Sequence, residues 1–203
     1  AQQLAHCFTW RGDLEKAGHL LVEIVESYEK EFGSNDIRLA HALMSLGSFY
    51  AEHGQFKKAE PLLLRAGRIY KKTMGAQGAV LSQMPLANVY RDTKRYTKAL
   101  RIYEQARALD QKKWGARHPL VANWTDMLAS TRVLQGEYDK AIALYRQGQE
   151  IREPHVRLML AQGSEQDKRA FMAKIDYLLD LIVGLHVQHA PDNPDAMDLA
   201  VTT

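Results

Sequence analysis

Residues Leu46 to Gly75 read "LGSFYAEHGQFKKAEPLLLRAGRIYKKTMG". Apolar side chains recur every three or four residues on both sides of the turn "HGQF" (His53 to Phe56), the pattern of two amphipathic helices joined tightly. The same pattern returns as "LANVYRDTKRYTKALRIYEQARALDQKKWG" (Leu86 to Gly115) and "LASTRVLQGEYDKAIALYRQGQEI" (Leu128 to Ile151). "RGDLEKAGHLLVEIVESYEKEFG", from Arg11 to Gly33, matches only the second half of the unit.

The register is fixed by small residues. Ala17, Ala59, Ala99 and Ala141 are 42, 40 and 42 residues apart, and Gly33, Gly75 and Gly115 are 42 and 40 apart. After each alanine an apolar stripe follows at helical spacing: Leu20 and Leu21, Leu62 and Leu63, Ile102 and Tyr103, Leu144 and Tyr145. Seven residues on stand Ile24, Ala66, Ala106 and Gly148, and the small ones among them let a neighbouring helix come close. The turns "TKRY" (Thr93 to Tyr96) and "QGEY" (Gln135 to Tyr138) repeat the first one. Lys71, Lys72, Lys112 and Lys113 complement the negative end of a helix dipole, and the glycine that follows is a stop. Each unit is therefore expected to be an antiparallel helix pair.

This pattern resembles the tetratricopeptide repeat (TPR). Its Leu-Gly/Ala-x-x-Tyr and turn-alanine features stand here as Leu46, Gly47, Tyr50 and Ala59, and as Leu86, Ala87, Tyr90 and Ala99. The fourth unit departs from it with Arg132 at the tyrosine position. The usual repeat is about 34 residues, so a 42-residue spacing resembles the longer-helix variety of kinesin light chains and of many bacterial multidomain proteins. The resemblance covers residues 1–152 and implies an all-α, right-handed solenoid of antiparallel helix pairs with an incomplete first repeat. The third unit is two residues short between Gly75 and Leu86, and Pro85 precedes Leu86. An interior proline costs about 3 kcal/mol, so its first helix is predicted to start late, near Ser82, and to be shortened or kinked.

By the same resemblance, the first helices line a concave face that binds peptides. The positions that map to it are His41, Met44, Ser48, Ala51 and Glu52; Met84, Asn88, Arg91 and Asp92; and Asn123, Asp126, Ser130, Val133 and Leu134. Asparagine, serine and arginine there would hydrogen-bond a peptide backbone, with methionine and leucine as adaptable apolar contacts. Met44, Ser48, Glu52, Met84, Asn88, Arg91, Asn123, Asp126 and Ser130 form the predicted partner site. Its mixed charge disfavours a clamp for a single terminal carboxylate.

The remaining chemistry is sparse. The chain has 203 residues, 27 basic and 24 acidic, and a net charge of +3, with the cations spread out rather than gathered as a nucleic-acid groove requires. No apolar run approaches a membrane span. The single cysteine, Cys7, permits no internal disulfide, fits a reducing cytoplasm, and reads as a small core residue rather than a nucleophile. His186 and His189 share a helical face but lack a third metal ligand. "QKKWGARH" (Gln111 to His118) reads as a solvated loop rather than a phosphate site. No cofactor, metal or catalytic group is expected.

After Pro154 the periodicity changes. A short helix is expected over His155 to Ala161, a capping box at Ser164 to Asp167, then a long helix carrying Phe171, Ile175, Leu178, Leu179, Ile182 and Leu185. Asn193 and Pro194 are expected to open a further helix, the first turns of a connection that continues beyond Thr203. Residues 163–203 resemble the helical segment that follows the repeats and precedes the caspase-like CHAT domain of bacterial TPR-CHAT proteins. The matching residues are Gly163, Ser164, Arg169 to Phe171, Leu178, Asp180, Leu185, His186, Pro191, Asn193, Pro194, Leu199 and Ala200. The catalytic residues of that family lie in the downstream domain and have no counterpart here. The expected organisation is a repeat array over 1–152 and a capping or linker segment over 153–203. The expected function is protein–protein interaction, with a partner or with the chain's own downstream domain. The alternative is an intramolecular scaffold or homo-oligomerisation module without a peptide ligand.

Overall fold

A computed structural model describes residues 13–162, with Ser164 and Gly184. The expectations for Cys7, for His186 and His189, for the long C-terminal helix and for the CHAT-like segment lie outside the described residues. Six α-helices make up the described part: α1 (Leu14–Phe32), α2 (Ile37–Glu52), α3 (Phe56–Asp92), α4 (Tyr96–Trp114), α5 (Pro119–Leu134) and α6 (Tyr138–Gln162). No strand occurs among the described residues. The chain divides into two compact units, with the boundary between Ile102 and Tyr103, inside α4.

Three turns inside the repeats are built alike. The amide of Gly54 donates to the Ala51 carbonyl (3.0 Å), that of Lys94 to Arg91 (2.9 Å) and that of Gly136 to Val133 (2.9 Å). One residue later Gln55 donates to Tyr50 (2.8 Å), Arg95 to Tyr90 (2.7 Å) and Glu137 to Arg132 (3.0 Å). The first position needs a positive φ, 70° at Gly54 and 76° at Gly136. Lys94 adopts 60° there, the one described non-glycine residue with positive φ, a conformation that L-residues disfavour.

In the unit ending at Ile102, α1, α2 and the start of α3 bury one apolar cluster, including Leu21, Ile24, Leu39, Leu43, Leu46, Ile69 and Tyr70. Gly47 is required by this packing, because a Cβ on it would stand 2.8 Å from Leu63 Cγ. Ion pairs tie second helices to the following repeat. Arg65 donates to Glu29 Oε2 (3.0 Å), and Arg95 meets Glu60 at 2.9 Å. These guanidinium partners hold both carboxylates below their usual range. In the other unit α5 packs on α6 over Val121, Ala122 and Ile151. Trp124 lies near the ring of Tyr103 (6.2 Å) and its indole N–H donates to Asp110 (2.7 Å).

The third repeat corrects the sequence expectation. Helical backbone runs through Pro85 to Asp92, and the break falls at Gly75 (φ 70°, ψ −160°) rather than near Ser82. Helices α2 and α5 start nine residues before Leu46 and Leu128; the arm of α3 after Gly75 starts ten before Leu86. The first helix therefore keeps its length, and the two missing residues come out of the connecting loop. Burial explains this. Gly78 and Ala79 are buried, and a Cβ on Gly78 would stand 2.8 Å from the Tyr70 carbonyl oxygen, so unwinding that turn would expose packed backbone. The predicted short helix after Pro154 is also corrected: α6 runs without interruption from Tyr138 to Gln162, with Pro154 inside it.

Candidate functional site

Each first helix buries one face and leaves a stripe on the other partly open. On α2 the buried residues are Leu39, Ala40, Ala42, Leu43, Leu46, Gly47 and Phe49, which leaves His41, Met44, Ser48, Ala51 and Glu52 half or fully exposed. On the second arm of α3, Leu86, Ala87, Val89 and Tyr90 are buried, while Met84 and Asp92 are exposed and Asn88 and Arg91 half-buried. On α5, Val121, Ala122, Trp124, Thr125, Leu128, Ala129 and Thr131 are buried, while Asn123 and Leu134 are exposed and Asp126, Ser130 and Val133 half-buried. The apolar periodicity that builds the core thus also sets which residues remain available for contact. The first two stripes lie in the unit ending at Ile102, the third in the other.

Several of these residues are engaged within the protein. Arg91 Nε donates to the carboxylate of its neighbour Asp92 (2.8 Å). The Ser130 hydroxyl donates to the Met127 carbonyl (3.0 Å). Asp126 receives two bonds from the Arg152 guanidinium, at 2.6 and 3.0 Å, with both side chains only 16% exposed. Asp126 is therefore half of a clamp between α5 and α6. The clamp also revises the reading of Gly148. A Cβ on it would stand 2.7 Å from Asp126 Oδ1, so the glycine makes room for the carboxylate rather than for a helix.

The repeat spacing puts Met44, Met84 and Asp126 at one structural position, and Tyr70, Asp110 and Arg152 at another. In the second repeat the fully buried Tyr70 brings its hydroxyl 2.7 Å from His41 Nδ1 and 4.0 Å from Met44 Sδ. Burial pushes this hydroxyl up to about 12, so it stays neutral and available for hydrogen bonding at ordinary pH. Sequence reasoning found the first-helix residues but missed Tyr70 and Arg152, which brace them from the second helix. The available signal was the opposite charge of Asp126 and Arg152 at these two repeat positions; nothing comparable marks Tyr70, since the third repeat sets Met84 opposite Asp110.

The turns differ in the same way. Lys58 lies over the Tyr50 ring (5.2 Å), and Arg95 and Lys98 lie over the Tyr90 ring (4.5 and 5.3 Å). Where Arg132 replaces the tyrosine, Glu137 bonds both Arg132 (2.7 Å) and Lys140 (3.2 Å), and these cations hold its carboxyl below the usual range. The departure in the fourth repeat thus keeps the turn and changes the chemistry that seals it. No cluster of three metal-ligating side chains is present among the described residues.

The tetratricopeptide repeat profile matches residues 1–72 and 79–153. The chain belongs to the tetratricopeptide repeat family. Solved structures similar to it include nearly identical TPR-like repeats described as a kinesin light chain of Podosopora anserina. That structure has 21% identity and TM-score 0.69, covering 98% of this chain and 89% of that one. A single-substitution form of the same repeats has 21% identity and TM-score 0.68, covering 88% and 92%. BtubC (BKLC) from P. vanneervenii has 18% identity and TM-score 0.76, covering 97% of this chain and 74% of that one. No curated protein matches the chain significantly. At these identities the likeness establishes the fold, an all-α TPR solenoid of antiparallel helix pairs. TPR arrays are protein-interaction scaffolds of a non-catalytic type. No described helix is long and apolar enough to cross a membrane.

Proposed function

We propose that this TPR chain binds a partner peptide or protein, or regulates an effector domain, through the exposed stripes of its first helices. The carrying observation is that these stripes stay exposed or half-exposed beside the buried face of each first helix, and that they combine polar with soft apolar groups. Ser48, Glu52 and Asn123 supply donors and acceptors for an extended backbone, and Met44 and Met84 adapt to apolar side chains. Arg91, Asp126 and Ser130 meet a ligand already bonded to their neighbours, so they shape the face more than they attract charge.

The resemblance of residues 163–203 to the segment preceding CHAT domains supports an effector of that caspase-like kind, in a bacterial cytoplasmic protein. Residues 1–152 are then the array and 153–203 the extension leading to the effector. Peptides selected on the chain from a random display library, followed by amide shift mapping, test the binding reading. Shifts should cluster on α2, on α3 after Gly75 and on α5, and Ser48→Ala with Asn123→Ala should weaken binding at least about tenfold. Shifts confined to second helices would sink it, and self-association without peptide binding would favour an oligomerisation module. Reading the codons beyond Thr203 tests the CHAT assignment separately.

A further inference from the structure

The residue before each repeat-ending glycine is Phe32, Met74 or Trp114. At the α1–α2 connector the ring is capped. The Arg38 guanidinium carbon sits 3.4 Å from the Phe32 centroid, Asp36 fixes that guanidinium with bonds of 2.8 and 2.9 Å, and Tyr28 meets the ring edge-on at 5.4 Å. At the α4–α5 connector every part of this cap is changed. Leu120 stands at the position of Arg38, His118 at that of Asp36, and Asp110 at that of Tyr28, where it is engaged by Trp124. His118 stacks on Trp114 (5.3 Å, 21° between planes) and Lys113 Nζ lies 4.5 Å from the centroid. The indole nevertheless remains 52% exposed and Leu120 41% exposed. Lys112 and Lys113, both exposed, precede the indole in the chain, with no acidic residue from Gln111 to Thr125.

We propose that the α4–α5 connector is a second docking surface, for an acidic linear segment of a partner protein in which an apolar side chain is flanked by carboxylates. The apolar side chain covers the open indole and Leu120, and the carboxylates meet Lys112 and Lys113. Tryptophan is suited to this role because it offers a large rigid surface at little entropic cost, and complementary charge orients the segment. Leu120 stands one turn before Asn123 on α5, so the surface adjoins that stripe, whereas Trp114, Lys112 and Lys113 lie outside the stripes and their variants test it independently.

The probe is a short fluorescein-labelled peptide of aspartate pairs separated by leucines, titrated by anisotropy with the full chain. A second peptide carries serines in place of the leucines. The leucine peptide should saturate and bind at least about tenfold more tightly than the serine peptide. Trp114→Ala, and Lys112→Glu with Lys113→Glu, should each weaken it at least about tenfold, and Trp114→Phe should retain most of the binding. Leu120→Arg with His118→Asp, which installs the cap of the first connector, should abolish it. Trp114, Lys112, Lys113 and Leu120 are exposed and His118, which caps α5, is half-buried, and unchanged circular dichroism would confirm folding. Equal binding of the two peptides, no saturation, or indifference to the Trp114 and cap variants would overturn the proposal. So would self-association abolished by Trp114→Ala, which would assign the surface to a second copy.

Discussion

The second and fourth repeats answer one packing problem with opposite chemistry. In one, Met44 and the buried Tyr70 meet through a thioether and a hydroxyl; in the other, the same positions hold Asp126 and Arg152 in a two-bond ion pair beside Gly148. The backbone accepts either solution, because the anchoring alanines and turn hydrogen bonds are alike in both. The side-chain sets are not interchangeable piece by piece. Asp126 needs both Arg152 to balance its charge and Gly148 to give it space.

The largest effect should come from breaking the ionic solution. Arg152→Ala leaves a mostly buried carboxylate without its partner and should destabilise the α5–α6 pair by about 3 kcal/mol. Hydrogen exchange of the α5 and α6 amides reads this locally, which suits a repeat array in which the segments need not unfold together. Transplanting the other solution whole, Asp126→Met with Arg152→Tyr and Gly148→Ala, should recover all but about 1 kcal/mol. If the transplant is as unstable as Arg152→Ala, the two positions are not equivalent.

Alkaline pH tests the other member of the comparison. The Tyr70 hydroxyl is raised from 10.0 to about 12, so folding favours its neutral form. That contribution is fully present below pH 10 and is lost as pH rises through 10 toward 12, by on the order of 2 kcal/mol. Urea midpoints followed by circular dichroism across this range should fall less steeply for Tyr70→Phe than for the unchanged chain.

The smallest effect is the most discriminating. Gly148→Ala crowds Asp126 and should cost about 1 kcal/mol, whereas in an Asp126→Ala background it should stabilise α6 by about 0.5 kcal/mol through helix propensity. Equal effects in both backgrounds would show that Gly148 serves something other than the carboxylate.

Much of this fold was legible before any coordinates. The alanine and glycine spacing places the helix pairs and their stops, and Gly33, Gly75 and Gly115 do take positive φ. The first-helix stripes were legible for the same reason, since the residues left over by an apolar periodicity must face outward. What escaped was set by contacts distant in sequence. Pro85 looked like a helix boundary because its local cost is real, yet burial of Gly78 and Ala79 holds the turn before it. Asp126 looked like an open groove residue because Arg152 lies a full helix and turn away. The connector at Trp114 looked like punctuation because its openness shows only beside the capped Phe32.

By itself, then, the sequence determined the repeat, its register, its turns and the outward face of each first helix. All of these follow from the 3.6-residue period and the conformational preferences of single residues. The tertiary structure alone decided which polar groups on that face are paired, where the shortened repeat lost its residues, and which connector leaves its aromatic ring open. Those depend on side chains that meet only after the helices have packed, where a few ångströms separate a satisfied charge from an exposed one.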